Sequence, residues 1–173
     1  MPLVDSKTLH DPLLDAHAHE LYEALNQLVR IYQFRDRDRI CCYDVSVTQC
    51  SALEVIIEKG PLRLQALAEQ LMLDKSTTSR VIETLVRKNY VKKSADPEDS
   101  RAVLIEATAA GRKLYKKIHS ELVDEQKEMI ADLSPEVRVA ATALLQRLAG
   151  AASKRMGLGE SCSTDKSGSS DCC

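Results

Sequence analysis

Asp74–Gly111, DKSTTSRVIETLVRKNYVKKSADPEDSRAVLIEATAAG, is the stretch that decides the fold. Its first half has the period of a helix with two unlike faces. At about 100° per residue, Thr78, Val81, Ile82, Leu85 and Val86 fall on an apolar side. Ser76, Thr77, Ser79, Arg80, Glu83 and Arg87 fall on the other. Short hydroxyls with an arginine near a helix N-terminus suit a helix lying in a major groove, where they reach base edges and phosphates. Asp74 stands at the N-cap, where a carboxylate accepts from the unpaired N–H groups of the first turn. Asn89, tolerant of the left-handed conformation, is the stop.

The second half predicts a two-stranded hairpin. Residues 90–95 and 101–107 are short β-prone runs, and in the second Val103, Ile105 and Ala107 alternate with Leu104 and Glu106. Between them Asp96-Pro97-Glu98-Asp99-Ser100 is turn chemistry, with Pro97 fixing φ and both Asp able to bond local backbone. An Arg101 steadied by the Asp99 carboxylate would fit a narrow minor groove, where negative potential concentrates. Upstream, Leu64, Leu67, Ala68 and Leu71 predict a short helix, and Met72-Leu73-Asp74 the turn into the next, without the frequent turn Gly. Helix, turn, helix and basic hairpin together outline a winged helix.

The run from Pro61 to Gly111 resembles the MarR group of bacterial transcriptional regulators. The matching pieces are Gly60-Pro61 before LQALAEQL, the helix LDKSTTSRVIETL, the turn Asp96-Pro97-Glu98-Asp99-Ser100-Arg101, and Thr108-Ala109-Ala110-Gly111. In general layout the resemblance spans roughly residues 15 to 150 and is most specific in the wing. It implies a homodimeric winged-helix DNA binder whose first and last helices build the dimer. Ser100 stands where many members carry a second Arg, which removes one wing phosphate contact. Most members answer to a small ligand or to thiol oxidation, and the resemblance does not choose between them.

The totals agree with a single helix-rich domain. Of 173 residues, 44% are hydrophobic, and with one Phe and no Trp the core must be aliphatic. The net charge of −2 does not mark a nucleic-acid binder, but its distribution does. Lys75, Arg80, Arg87, Lys88, Lys92 and Lys93 face only Glu83 between residues 75 and 93, a local charge of +5. No signal peptide or membrane-spanning run is visible, so the expected compartment is the cytoplasm.

Either side of this segment the pattern is helical. Leu14, Ala18, Leu21, Leu25, Leu28 and Tyr32 repeat at three- and four-residue spacing, running into the alternating charges Arg35-Asp36-Arg37-Asp38-Arg39. A second helix begins at Thr48 with Leu53, Ile56 and Ile57 on its stripe and closes at Gly60-Pro61. After the wing, Thr108 caps a helix of about 25 residues, roughly 37 Å long, with Leu114, Ile118, Leu122, Met129 and Leu133 on one side. Ser134-Pro135-Glu136 then starts another helix, with Val137, Ala141, Leu144, Leu145 and Leu148 inward. These helices are too long for one compact domain to cover, and a partner chain is the natural cover. The resulting plan is mainly α with a small β-wing. It has a flexible arm (1–12), a dimerisation helix (13–40), a winged helix-turn-helix (41–107), C-terminal dimerisation helices (108–152), and a disordered Gly/Ser-rich tail (153–173).

Six cysteines in a reducing compartment argue for thiols, metal binding or redox sensing rather than structural disulfides. Cys50 is in phase with Leu53 and Ile57 and reads first as a small buried hydrophobe. Cys41-Cys42 lies beside Arg37 and Arg39, which favour thiolate, and adjacent thiols suit a soft thiophilic ion or an oxidant better than tetrahedral zinc. The tail adds Cys162, Cys172 and Cys173. One expectation is that these cysteines form an effector switch for a thiol-seeking metal, metalloid or oxidant. The alternative is an inert tail and an organic, phenolic ligand. No catalytic constellation or phosphate loop is present, so no enzymatic activity is expected, and the one cofactor left open is a thiophilic metal or metalloid ion as effector.

The reading that unites these features is a homodimeric repressor on a pseudo-palindromic duplex, with half-sites about 10 bp apart. Ser76, Thr77, Ser79 and Arg80 would read the major groove. Arg101, steadied by Asp99, would reach the minor groove, and Lys75, Arg87, Lys92 and Lys93 would hold phosphates. The rivals are a winged-helix protein–protein module and a metal-handling protein centred on the cysteines.

Overall fold

A computed structural model of the chain describes residues 12–97, 99 and 101–157. The expected N-terminal arm therefore lies outside the described residues except for Pro12, as does the tail beyond Gly157. The elements in order are α1 (Pro12–Cys41), α2 (Val47–Lys59), β1 (Leu62–Arg63), α3 (Leu64–Leu71), α4 (Lys75–Arg87), β2 (Val91–Ala95), β3 (Val103–Ala107), α5 (Ala109–Met129) and α6 (Pro135–Arg155). They fall into two compact units, one ending at Asp124 and one beginning at Glu125. The architecture is the one expected, mostly helical with a small sheet.

The core of the first unit is aliphatic. Ala52, Leu53 and Ile56 of α2, Leu67 of α3, Ile82 and Leu85 of α4, and Val91, Ile105 and Ala107 of the sheet form one buried cluster. Each such Leu or Ile contributes about 1.5–3 kcal/mol by leaving water. Ile40, Val45, Cys50 and Ile118 make a second cluster where the end of α1 meets α2 and α5. A reciprocal cap starts α2: Gln49 N–H donates to Ser46 Oγ (3.2 Å) and Ser46 N–H donates to Gln49 Oε1 (3.3 Å). The helix thus begins at Val47, one residue before the expected Thr48.

The sheet has three strands in the order β1-β3-β2, not the expected two. Leu62 pairs with Ile105 and Arg63 with Leu104, while β2 pairs with β3 from Val91↔Ala107 to Ala95↔Val103. A two-residue strand is too short to carry a period, which is why β1 leaves no sequence signal.

Gly111 explains why the stretch closes on Ala-Ala-Gly. A Cβ there would run into the Tyr90 carbonyl and would meet Leu53 Cδ2 at 3.2 Å. The absent side chain lets the first turn of α5 lie directly on the chain leaving α4. Thr108 secures this approach: its Oγ1 accepts from Gly111 N–H (3.1 Å) and donates to the Asn89 carbonyl (2.7 Å).

The charged run Arg35–Arg39 falls in the last turns of α1, as expected; there Arg35 Nε donates to Asp36 Oδ1 at 2.8 Å and its guanidinium stacks 4.1 Å from the Tyr32 ring centre. Two boundaries differ from expectation. α5 stops at Met129, short of the expected length, and Leu133 falls in the turn that leads to Pro135. α6 continues past Gly150 to Arg155, into the segment expected to lack structure.

In the second unit α6 starts as its residues dictate, with Val137 N–H donating to Ser134 Oγ (3.4 Å) and Pro135 in the first turn. Yet no α6 residue is buried: Val137, Val139, Leu144 and Leu145 are all exposed. In the first unit Leu13, Leu14, Tyr22, Val29, Ile31 and Phe34 of α1 are exposed as well.

Candidate nucleic-acid interface

Local chemistry sets α4 at a fixed angle to α3. Met72 ends α3 in the left-handed region (φ 54°, ψ 40°), doing the work that Gly does in many such turns. Asp74 then caps α4, accepting from Thr77 N–H at 2.8 Å. Thr78 is fully buried, and its Oγ1 donates to the Asp74 carbonyl (2.9 Å). With Ile82 and Leu85 it forms the inner stripe. Val86, expected on that stripe, is exposed at its edge instead. Asn89 follows with φ 58°, the expected left-handed stop.

The outward face of α4 is more internally bonded than its residue types suggest. Ser76 Oγ and Thr77 Oγ1 both donate to the Asp74 carboxylate at 2.6 Å. These two hydroxyls, followed by Thr77 N–H, hold the carboxyl well below its ordinary range. Ser79 Oγ donates to Glu83 Oε1 (3.2 Å). A hydroxyl has one proton to give and two lone pairs, so these three side chains present acceptors rather than donors. Lys75, Ser76 and Arg80 are exposed, and Thr77 and Ser79 half-buried. Arg80, Glu83, Thr84, Val86, Arg87 and Lys93 line one open depression, which brings β2 alongside α4. Arg87 Nη2 donates there to Thr84 Oγ1 (3.1 Å).

Around this face the other predicted cations differ in their commitments. Lys92 Nζ pairs with Glu106 Oε2 across the hairpin (3.0 Å), and Lys92, Ser94 and Arg112 together lower the Glu106 pKa. Lys93 is exposed beside Arg87. Lys88, counted in the basic segment, turns away to the Asp44 carbonyl and carboxylate (3.3 Å to Oδ1), a contact that sequence spacing does not reveal. Arg101 is exposed at the wing. What Asp99 holds is not the guanidinium but the Arg101 backbone, whose N–H donates to Oδ1 at 3.0 Å. Asp96, read as a local turn residue, is buried and paired with Arg63 of β1.

Cys41 is the last residue of α1. Cys42 is exposed in the next turn, with Sγ donating to the Asp38 carbonyl (3.6 Å). Cys50 is buried; burial, then Glu54 and Asp36, push its thiol up to about 11. Cys162, Cys172 and Cys173 lie outside the described residues. Among the described residues no group of three or more His, Cys, Asp or Glu is placed to hold a metal ion, and no helix is long and apolar enough to cross a membrane.

Known proteins share this arrangement. The MarR family model matches residues 45–103, from the turn before α2 to the start of β3. The Bacillus subtilis HTH-type transcriptional regulator YxaD is 32% identical over 96 residues, 56% of this chain and 67% of that protein. YwaE of the same organism, also an HTH-type transcriptional regulator, is 28% identical over 134 residues, 73% of this chain and 78% of its own. Among solved structures, a MarR family protein from Bacillus stearothermophilus superimposes with a TM-score of 0.75 at 20% identity, covering 80% of this chain and 97% of that one. An S. aureus MepR mutant, solved bound to an oligodeoxyribonucleotide, gives 0.55 at 20% identity, covering 75% and 96%. With its helix-turn-helix, its three-stranded wing and these relatives, the chain belongs to the MarR family of transcriptional regulators.

Proposed function

We propose that the protein acts in the cytoplasm as a homodimeric repressor that grips a pseudo-palindromic duplex with two copies of α4. The observation that carries this reading is the outward face of α4: exposed Arg80 among hydroxyl acceptors, inside a segment of local charge +5. Arg80 is the base-reading donor, and Ser76, Thr77 and Ser79 accept from base amino groups or water. Lys75, Arg87, Lys92 and Lys93 supply phosphate attraction, and Arg101 enters the minor groove on a turn braced by Asp99. The MepR–oligodeoxyribonucleotide complex supports this use of the fold. The exposed apolar residues of α1 and α6 support a second copy as their cover. Gel shifts on the DNA upstream of the protein's own gene test the reading. Arg80→Ala should cost about 1–3 kcal/mol on the specific site and relax sequence preference. Equal loss on random DNA would refute the base-reading role.

The effector we propose is a thiophilic metal, metalloid or oxidant acting at the cysteines, changing the spacing of the two α4 helices by binding one spacing better. The exposed Cys42, adjacent to Cys41, favours this over Cys50, whose raised pKa keeps it protonated at neutral pH. Iodoacetamide at pH 7.5 should modify Cys42 before Cys50, read by peptide mass. Replacing all six cysteines with Ser should abolish release by peroxide or arsenite. Unchanged release would transfer the role to an organic ligand such as a phenolic acid.

A further inference from the structure

The base of the wing is anchored in the core of the first unit by Val91, Ile105 and Ala107. Nearer the tip, β3 pairs with the two residues of β1, and Arg63 Nε and Nη2 both reach Asp96 Oδ2, at 2.8 and 2.6 Å. The Asp96 side chain is 7% exposed, and a carboxylate this far from water is costly unless paired. Within the turn Asp96 N–H donates to the Ala102 carbonyl (3.1 Å), Ala102 N–H to the Asp99 carbonyl (2.8 Å), and Arg101 N–H to Asp99 Oδ1 (3.0 Å).

Arg63 supplies the other end. It is both the second residue of β1 and the residue preceding α3, extended at φ −71° and ψ 151°. Leu67 of α3 packs in one cluster with Ile82 and Leu85 of α4. Beyond its buried base the hairpin is a two-strand ribbon, and such ribbons twist more than wider sheets. A guanidinium fork fixes a direction as well as a distance.

We infer that Arg63 is a positioning residue for the wing: through Asp96 it sets the wing against the α3–α4 pair, so that Arg101 and α4 engage one duplex together. This rests on the proposed DNA-binding reading and names a residue that acts through others.

A double-mutant cycle on the full-length protein tests it, using fluorescence anisotropy on the specific duplex across a salt series. In the parent, Arg101→Ala should weaken binding about tenfold and reduce the salt slope by about 0.9, one phosphate's worth. In Arg63→Met the slope should already be reduced, and adding Arg101→Ala should change affinity less than about twofold. Arg63→Lys should recover only part of the loss. The pair Arg63→Gln with Asp96→Asn removes the buried charge and keeps the reach; it should hold the wing, so that Arg101→Ala again costs about tenfold in it, and this arm still reads if Arg63→Met fails to fold. Additive losses of Arg63→Met and Arg101→Ala, or an Arg101→Ala without effect in the Gln/Asn background, would overturn the inference, since a direct phosphate contact by Arg63 adds to that of Arg101. A parent with no salt-sensitive DNA binding would overturn the proposed function, and this inference with it.

Discussion

α4 and α6 begin alike and end differently. Each has an oxygen-bearing cap, Asp74 or Ser134, and each carries an apolar stripe. In α4 the stripe is sealed, with Thr78, Ile82 and Leu85 buried against α2, α3 and the sheet. In α6 nothing is buried, and Val139 is 70% exposed. Period and capping make a helix, but what lies opposite decides whether its stripe contributes to stability. The winged region carries its own opposing surfaces in one chain. In the single chain, α1 and α6 leave apolar side chains in water.

The largest effects should come from breaking the sealed side. Leu53→Ala should cost about 2–5 kcal/mol in urea unfolding, with no dependence on protein concentration beyond that of the parent. Gly111→Ala should destabilise comparably, because its new methyl meets backbone that cannot step aside. A smaller loss at either position would mean that the winged core is looser than its burial implies.

Next comes the open side. Leu144 is 48% exposed in the single chain, so Leu144→Asp should barely affect a monomer. If a second copy covers α6, the same change buries a charge and should convert a dimer to monomer in sedimentation velocity. A mutant indistinguishable from the parent would remove α6 from the interface.

The smallest effect concerns the cap. Asp74 is held below its ordinary range in the folded state, so its stabilisation of α4 is fully present above the unfolded value of about 3.9. It is lost as pH falls through the lower folded value. Asp74→Asn should therefore flatten the acid limb of the stability profile while leaving pH 7 binding nearly intact. An identical acid limb in the two proteins would show that the carboxylate is not held as described.

Local signals were legible and through-space ones were not. Asp74, Asn89, Ser134-Pro135 and the α4 stripe act within one turn of helix, and each appears where its chemistry places it. Arg63–Asp96 and Lys88–Asp44 join residues 33 and 44 positions apart, so only the folded chain brings them together. The Ser76 and Thr77 hydroxyls were visible as outward-facing. Their donation to Asp74 was not, because a capping carboxylate has lone pairs to spare that its type does not advertise. Cys50 was legible as a buried small side chain because its phase with Leu53 and Ile57 is a helix-surface property.

The account stands most directly on how many chains sit on one duplex. Sedimentation of the full-length protein with a fluorescent duplex from upstream of its gene should give two chains per duplex, with an affinity that falls steeply as salt rises. One chain per duplex, or binding indifferent to salt, would contradict it.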